Sequence, residues 1–107
     1  MTREQDSFEL ISKAGSAFSI LVDVLNDCRN GQFAEVETKI ANAEEMMNNA
    51  HNIQTRLITE QINGQEEPPD LLMVHAQDTL MNTILMFTIT KEFVHMYQDR
   101  ERSKVNG

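Results

Sequence analysis

The chain is poor in several residue types that define common protein classes. Its 107 residues include no Trp, one Cys, two Pro and four Gly. A lone cysteine, Cys28, cannot form an internal disulfide, and the opening MTREQDSFEL lacks the apolar core of a signal peptide. No apolar stretch is long enough to span a bilayer, so direct membrane insertion is not expected. These absences predict a cytoplasmic protein.

Basic residues are scarce as well. Nine Lys and Arg stand against 17 Asp and Glu, which gives a formal net charge of −8. Such a field repels phosphate backbones, so nucleic acid is not an expected partner. Glycine-rich phosphate loops, Ser-His-Asp orderings and Cys-His metal spacings are also missing.

The residues that are present favour helices. Hydrophobic residues make up 40% of the chain and seven are Met, which suits adaptable packing between helices. The length predicts one domain, residues 1–107, with a small core that oligomerisation would stabilise. The charged end QDRERSKVNG is predicted to fray into a flexible, solvated tail from about residue 101.

Two breaks divide the chain into three segments. Gly31 in RNGQF suits the left-handed conformation that closes a helix, and INGQEEPPD contains Asn63, Gly64, Pro68 and Pro69. Because short connections favour antiparallel neighbours, the predicted fold is all-α: an antiparallel three-helix bundle.

The first two segments have the apolar rhythm of amphipathic helices, with spacings of three and four residues. In the first, Asp6 or Ser7 is available as the N-cap, and the predicted buried face consists of Phe8, Ile11, Gly15, Phe18, Val22 and Leu25. In the second, the predicted buried face consists of Phe33, Val36, Ile40, Ala43, Met47, Ala50 and Leu57.

The third segment, from about Asp70 to Arg100, carries two apolar stripes. One consists of Leu71, Val74, Met81, Leu85 and Ile89 and is named the outer stripe, and the other consists of Met73, Leu80, Ile84, Phe87 and Val94 and is named the inner stripe. The spacing alone leaves open which of the two the first helices cover. Two other helices can cover one stripe, so the second predicts self-association through this helix. A monomer in which the first two helices cover both stripes remains the alternative.

Asp78 falls inside the outer stripe, between Val74 and Met81. A buried carboxylate must be neutralised by a proton, a basic side chain or a metal. On an oligomer axis, symmetry would bring copies of Asp78 together, and a hard divalent cation such as Mg²⁺ suits a ring of carboxylate oxygens. The alternative is that Asp78 lies at the edge of the stripe, partly solvated and paired with Lys or Arg.

His75 lies on a third face of this helix, with Leu72, Thr79, Asn82 and Met86. That face is mixed and resembles a groove, with Phe93 and Tyr97 at its far end. Near a helix N-terminus the macrodipole disfavours an imidazolium and favours an anionic group. A neutral imidazole here is suited to accept a phosphoryl group, although a purely structural role stays open.

Four stretches of the sequence resemble one known family. They are LLMVHAQDTLM (Leu71 to Met81), AHNIQTRLI (Ala50 to Ile58), FELISKAGSAFS (Phe8 to Ser19) and NGQFAEVE (Asn30 to Glu37). In this order they resemble the lactose/cellobiose-type enzyme IIA components of the bacterial sugar phosphotransferase system. The resemblance covers nearly the whole chain, and VHAQD at the start of a third helix is a specific signature.

The resemblance implies a cytoplasmic phosphocarrier, a homotrimer of three-helix protomers. It accepts a phosphoryl group from phospho-HPr and passes it to enzyme IIB, which is coupled to the membrane enzyme IIC. By the same resemblance, His75 is the phosphorylated residue, Gln77 supports the active site, and Asp78 coordinates a metal such as Mg²⁺ at the trimer axis. Lactose, cellobiose and diacetylchitobiose all remain possible sugars.

The sequence departs from the family pattern at one position. That pattern commonly reads His-Ala-Gln-Asp-His-Leu-Met, and Thr79 stands here in place of the second histidine. Thr79 could still donate a hydrogen bond to the active site, but a second imidazole is lost. Two other functions compete with this interpretation. A two-component histidine phosphotransfer domain usually has Lys where this chain has Asp78, and a non-enzymatic helical adaptor would make His75 incidental.

Overall fold

The computed structural model describes residues 2–64 and 68–106, with the side chains described through residue 104. Three helices account for the fold: α1 is Arg3–Arg29, α2 is Val36–Ile62 and α3 is Leu71–Asn106. Arg3 at the start of α1 donates to the carbonyl oxygen of Pro68, 2.6 Å away, just before α3. Thus α1 and α3 run parallel, and α2 runs antiparallel to both, which confirms the predicted three-helix bundle.

The start of α1 differs from the prediction. Thr2 is the N-cap: its Oγ1 accepts from the amide of Gln5 at 3.1 Å, and Gln5 Oε1 accepts from the amide of Thr2 at 2.9 Å. This reciprocal capping box fixes the first turn ahead of the predicted caps. Asp6 and Ser7 are buried inside the helix, and Asp6 instead pairs with Arg56 of α2.

Both predicted breaks contain glycines in the left-handed conformation. Gly31 has φ of 72° and Gly64 has φ of 69°, values that a residue without a Cβ adopts at little cost. Residues 65–67 of the second break lie outside the described residues. Beyond them, Asp70 Oδ1 accepts from the amide of Met73 at 2.8 Å and so caps the start of α3.

The predicted buried face of α1 is wrong by part of a turn. The residues that form the core are Leu10, Ala14, Ala17, Leu21, Val24 and Cys28, while Phe8 is 55% exposed and Phe18 and Val22 are also exposed. The predicted face and the observed face both repeat every three or four residues, so the spacing of apolar residues cannot distinguish them. The small side chains let the backbones approach: Thr83 Oγ1 of α3 donates to the carbonyl oxygen of Ala14 at 3.2 Å.

The predicted buried face of α2 is confirmed in its main part. Val36, Ala43, Met47, Ala50 and Leu57 are buried, and Phe33 and Ile40 are half-buried. Two further residues, Ile53 and Gln54, are buried as well. A broad apolar side of α2 therefore faces the rest of the bundle.

The two stripes of α3 separate as the sequence predicts. The inner stripe packs against α1 and α2, with Ile84 half-buried and its other members buried. The outer stripe is exposed along its whole length, from Leu71 at 85% to Leu85 at 59% and Ile89 at 42%. The bundle therefore leaves a long apolar face of α3 uncovered, as expected for a surface that binds another protein.

The chain's end is helical where a frayed tail was predicted. α3 continues to Asn106, so residues 101–106 belong to it. Between Pro69 and Gly107 the sequence contains no Gly or Pro, and its charged residues are good helix formers. The side chains of residues 101–104 are solvated, as predicted.

Candidate functional site

His75 is the fifth residue of α3, just after the turn capped by Asp70. Its side chain is exposed. No hydrogen bond or ion pair to the imidazole occurs within residues 2–64 and 68–104, so both ring nitrogens are open to a partner. The amides of the first helical turn lie nearby and make this end of α3 the positive end of its dipole.

The face around His75 is open rather than enclosed. Leu72, Thr79 and Met86 are half-buried and Asn82 is exposed. His75 does not belong to the linings of five cavities that lie among the described residues. The imidazole therefore lies on the exposed surface of the chain, outside these five cavities.

The groove that the sequence predicts on this face of α3 is present at its far end. Phe93 and Tyr97, about five helical turns beyond His75, line a cleft against Val22 and Leu25 of α1. This face of α3 is thus the flank beside α1.

Thr79 is close to His75 but its hydroxyl is already used. Thr79 Oγ1 donates to the backbone carbonyl oxygen of His75 at 2.8 Å, a common bond between residues four apart in a helix. In this rotamer the hydroxyl proton does not point to the imidazole. The oxygen can still accept a hydrogen bond.

Gln77 lies on the other flank of α3, beside α2. Its Oε1 accepts from Gln54 Nε2 at 2.5 Å, and Gln54 is 93% buried, which fixes the amide. Two residues correspond to about 200° around a helix, so Gln77 and His75 of one protomer point apart. The structure therefore does not bring these two predicted site residues together.

Asp78 lies in the outer stripe and is exposed in the protomer. Its Oδ2 accepts a long hydrogen bond of 3.4 Å from Asn82 Nδ2. No Lys or Arg forms an ion pair with it among the described residues, so a basic partner does not explain its position. No group of three His, Cys, Asp or Glu side chains suited to a metal occurs in that part of one protomer.

Among the described residues, the other titratable groups do not form a second catalytic centre. His51 and His95 are exposed and lie apart from His75. Burial raises the pKa of the Cys28 thiol, and the nearby Asp27 carboxylate raises it further, so Cys28 is a poor nucleophile. Lys39 bridges Asp23 and Asp27 at 2.6 and 2.7 Å, which raises the pKa of its ammonium group and joins α2 to α1.

Two features near the site were missed by the sequence reasoning. Gln54 is a buried amide, and its only sequence signal is a polar residue beside the apolar positions of α2. The second is an apolar cleft of about 310 Å³ between the end of α2 and the start of α3, lined by Ile58, Gln61, Ile62, Pro69, Met73, Val74 and Gln77. Ile62 is 77% exposed there.

None of the described helices is long and apolar enough to cross a membrane.

Comparison with known proteins connects this geometry to a family. The family model described as "PTS system, Lactose/Cellobiose specific IIA subunit" matches residues 5–98. The lactose-specific EIIA component of Staphylococcus epidermidis is 33% identical over 91 residues, which are 85% of this chain and 88% of that protein.

Two solved structures have the same fold. The cellobiose-specific enzyme IIA of Bacillus anthracis superposes with a TM-score of 0.87 at 35% identity, covering 95% of this chain and 94% of that one. The chitobiose IIA protein of Escherichia coli, solved in complex with HPr, gives a TM-score of 0.82 at 26% identity, covering 94% and 98%. The chain is therefore a member of the lactose/cellobiose-specific IIA family of the sugar phosphotransferase system, a family of phosphotransferase components.

Proposed function

We propose that the protein carries a phosphoryl group on His75, accepting it from phospho-HPr and passing it to an enzyme IIB component. The observation that carries this proposal is the exposed, unbonded imidazole at the start of α3 in a member of this family. The cytoplasmic location and the coupling to a membrane enzyme IIC belong to the same proposal. Incubation with phospho-HPr followed by mass spectrometry tests it, with one phosphoryl group per protomer as the expected result.

The reaction requires little of the protein beyond positioning. A neutral ring nitrogen of His75 attacks the phosphorus held on the donor's histidine. The new N–P bond forms as the old one breaks, and the released electron pair stays on the donor nitrogen. The positive end of the α3 dipole stabilises the negative phosphoryl oxygens near His75. In the second transfer a nucleophile of enzyme IIB attacks the phosphorus, and the electron pair of the broken N–P bond returns to the His75 nitrogen.

The functional unit in this proposal is a homotrimer built on the outer stripe. That stripe is apolar and uncovered, and it lies opposite the inner stripe. Three copies of α3 can therefore pack side by side around a three-fold axis, with α1 and α2 of each protomer on the outside of the assembly. Because His75 lies on the α1 flank and Gln77 on the α2 flank, a three-fold rotation brings each α1 flank against the next protomer's α2 flank. His75 of one protomer then faces Gln77 of its neighbour.

This arrangement predicts that Gln77 acts across the protomer interface. Trimers of the His75→Ala variant have no acceptor nitrogen and should not be labelled. Trimers of the Gln77→Ala variant should accept the phosphoryl group about tenfold more slowly than the wild type, because one polar contact to that group is lost. Subunit exchange between the two variants should restore fast labelling, since a His75 in a Gln77→Ala protomer then lies beside a neighbour's intact Gln77. Rapid-quench measurement of the rate per His75 gives the answer. Slow labelling in mixed trimers would mean that Gln77 acts within its own protomer.

The same assembly gives Asp78 a reason to sit in an apolar stripe. Three symmetry-related carboxylates would meet near the axis, and their repulsion requires a counter-charge. Hard carboxylate oxygens fit Mg²⁺ or a similar divalent cation, with water completing the coordination. The ion would neutralise and join the three acids, and it takes no part in phosphoryl transfer.

Asp78→Leu should remove the bound metal while leaving the trimer intact or more stable, since apolar residues often replace buried charges without loss. Elemental analysis of dialysed protein measures the metal, and sedimentation equilibrium measures the assembly. Asp70→Asn is the matched control, because it neutralises the carboxylate that caps α3, outside the stripe, and should leave the metal content unchanged. Metal retained in Asp78→Leu would contradict the site.

Apolar residues at the His75 end offer a docking surface to HPr and enzyme IIB. The contacts Arg3–Pro68 and Gln54–Gln77 place the start of α1 and the end of α2 beside the start of α3. Phe8, Ile58 and Ile62 are exposed at this end of the bundle. A helical adaptor would also use such a surface. Acid-labile phosphate on the protein separates the carrier from an adaptor, which would carry none.

A further inference from the structure

A second candidate site lies at the end of the bundle opposite His75. The end of α1, the α1–α2 loop and the last turns of α3 enclose a cleft of about 480 Å³. Its lining residues are Cys28, Arg29, Asn30, Gly31, Phe33, Tyr97, Arg100, Glu101 and Lys104. His75 and Arg100 are 25 residues apart along one helix, which corresponds to about 37 Å. The cleft is therefore separate from the phosphoryl-transfer site.

Charge sets this cleft apart from four other cavities in the described part of the chain. Arg29, Arg100 and Lys104 against Glu101 give its lining a net charge of +2. The linings of the four other described cavities are neutral or carry one net negative charge. In a protein of net charge −8, this cleft is where an anion meets a favourable local field.

Its cations are also available to a ligand. Arg100 and Lys104 form no hydrogen bond or ion pair with any described residue, and Arg29 donates one bond, to Asn26 Oδ1 at 2.7 Å. Other basic side chains of the protein are engaged, as Lys39 is with two aspartates and Arg56 is with Asp6. An Arg and a Lys on successive turns of α3 can together bind the oxygens of a phosphate group.

Two aromatic rings form an apolar side of the cleft, next to its cationic side. Phe33 and Tyr97 are half-buried and pack against the core cluster of Val24, Cys28, Val36 and Val94, so the rings are held in place. Flat aromatic faces suit the C–H surface of a sugar ring, and the Tyr97 hydroxyl and the Asn30 amide can bond to sugar hydroxyls. A bare phosphate would use the cations and leave these groups unengaged.

From the cations, the rings and the enclosed volume, we infer that this cleft binds a phosphorylated sugar. Its phosphate contacts Arg100 and Lys104, with Arg29 alongside, and its ring lies against Tyr97 and Phe33. The inference depends on the chemistry of the cleft and is independent of phosphorylation at His75.

To test the inference, the protein is titrated with three probes, and the chemical shifts of its backbone amides are recorded by NMR at each step. The probes are glucose 6-phosphate, inorganic phosphate and glucose. Glucose 6-phosphate is expected to shift the amides of Asn30, Gly31 and Tyr97 and to bind at least about tenfold more tightly than either of the other two, because it alone engages both walls. Equal affinity for inorganic phosphate, or shifts confined to other regions, would overturn the inference.

A pair of charge-matched variants sharpens the test. Arg100→Gln combined with Lys104→Gln should weaken binding of glucose 6-phosphate by about tenfold or more, since two charge-assisted contacts are lost. Lys91→Gln combined with Arg102→Gln removes the same net charge from exposed positions of α3 outside the cleft and should leave affinity within about twofold. If both variants weakened the binding of glucose 6-phosphate equally, the protein's net charge would explain the effect and the proposed site would be refuted.

Labelling at His75 is measured on the same samples. Both variants should accept phosphoryl from phospho-HPr at the unaltered rate, because the cleft lies at the other end of the bundle. A wild-type protein that is not labelled at His75 but still binds glucose 6-phosphate would refute the proposed function and leave this inference standing. The failure of the proposed function can therefore be distinguished from the failure of this inference.

Discussion

His75→Ala is expected to abolish phosphorylation of the protein by phospho-HPr while leaving its helicity and thermal stability within experimental error. The reason is that the imidazole is exposed and forms no described contact that the core requires, while it is the nucleophile of the proposed exchange. The loss is absolute rather than graded, because no other side chain replaces a missing acceptor nitrogen. Mass spectrometry of the intact protein reads the modification directly.

The two other histidines give matched controls. His51→Ala and His95→Ala each remove an exposed imidazole from a helix, and both should keep full labelling. Acid lability of the modification identifies a phosphorus–nitrogen bond in the wild type. Phosphorylation that survives in His75→Ala, or that disappears in His95→Ala, would assign the acceptor elsewhere.

The second large effect is expected at the outer stripe. Leu85→Asp should convert the proposed trimer into folded monomers, because three additional carboxylates would meet at the axis without a counter-charge. Leu85 is 59% exposed in the protomer, so the substitution does not damage the inner core. Sedimentation velocity measures the change, and far-UV circular dichroism verifies that the bundle persists.

Ser16→Asp is the control for this substitution. Ser16 is an exposed residue of α1 away from the outer stripe, so it adds the same charge without entering the interface and should leave the trimer intact. A wild-type protein that sediments as a monomer would refute the trimeric assembly and, with it, the shared site of His75 and Gln77. It would leave His75 as the acceptor.

The separation of His75 from Gln77 shows why a motif does not by itself define a site. HAQD is contiguous in sequence, yet its His, Gln and Asp project onto three different faces of α3 because a helix turns about 100° per residue. One face lies beside α1, one beside α2 and one on the exposed stripe. In the proposed trimer all three become functional together, since each of these faces meets a neighbouring protomer.

The sequence alone determined the three helical segments, because glycine and proline act locally on the backbone wherever they occur. It also predicted two apolar stripes on α3, of which the other helices cover only one, because both stripes are visible in the spacing. The structure decided that the stripe with Met73 and Leu80 is the buried one. The resemblance to the IIA family, carried by VHAQD, identified the family to which the comparisons assign the chain.

Only the tertiary structure decided which side of α1 is buried. The faces that contain Phe8 and Leu10 repeat with the same period, and close contact with α3 selects the one whose small residues, Ala14 and Ala17, let the helices approach. It likewise decided that Gln54 holds Gln77 and that the cations of the cleft near Tyr97 come together. Such contacts join residues that are distant in sequence, and their existence depends on how whole helices pack.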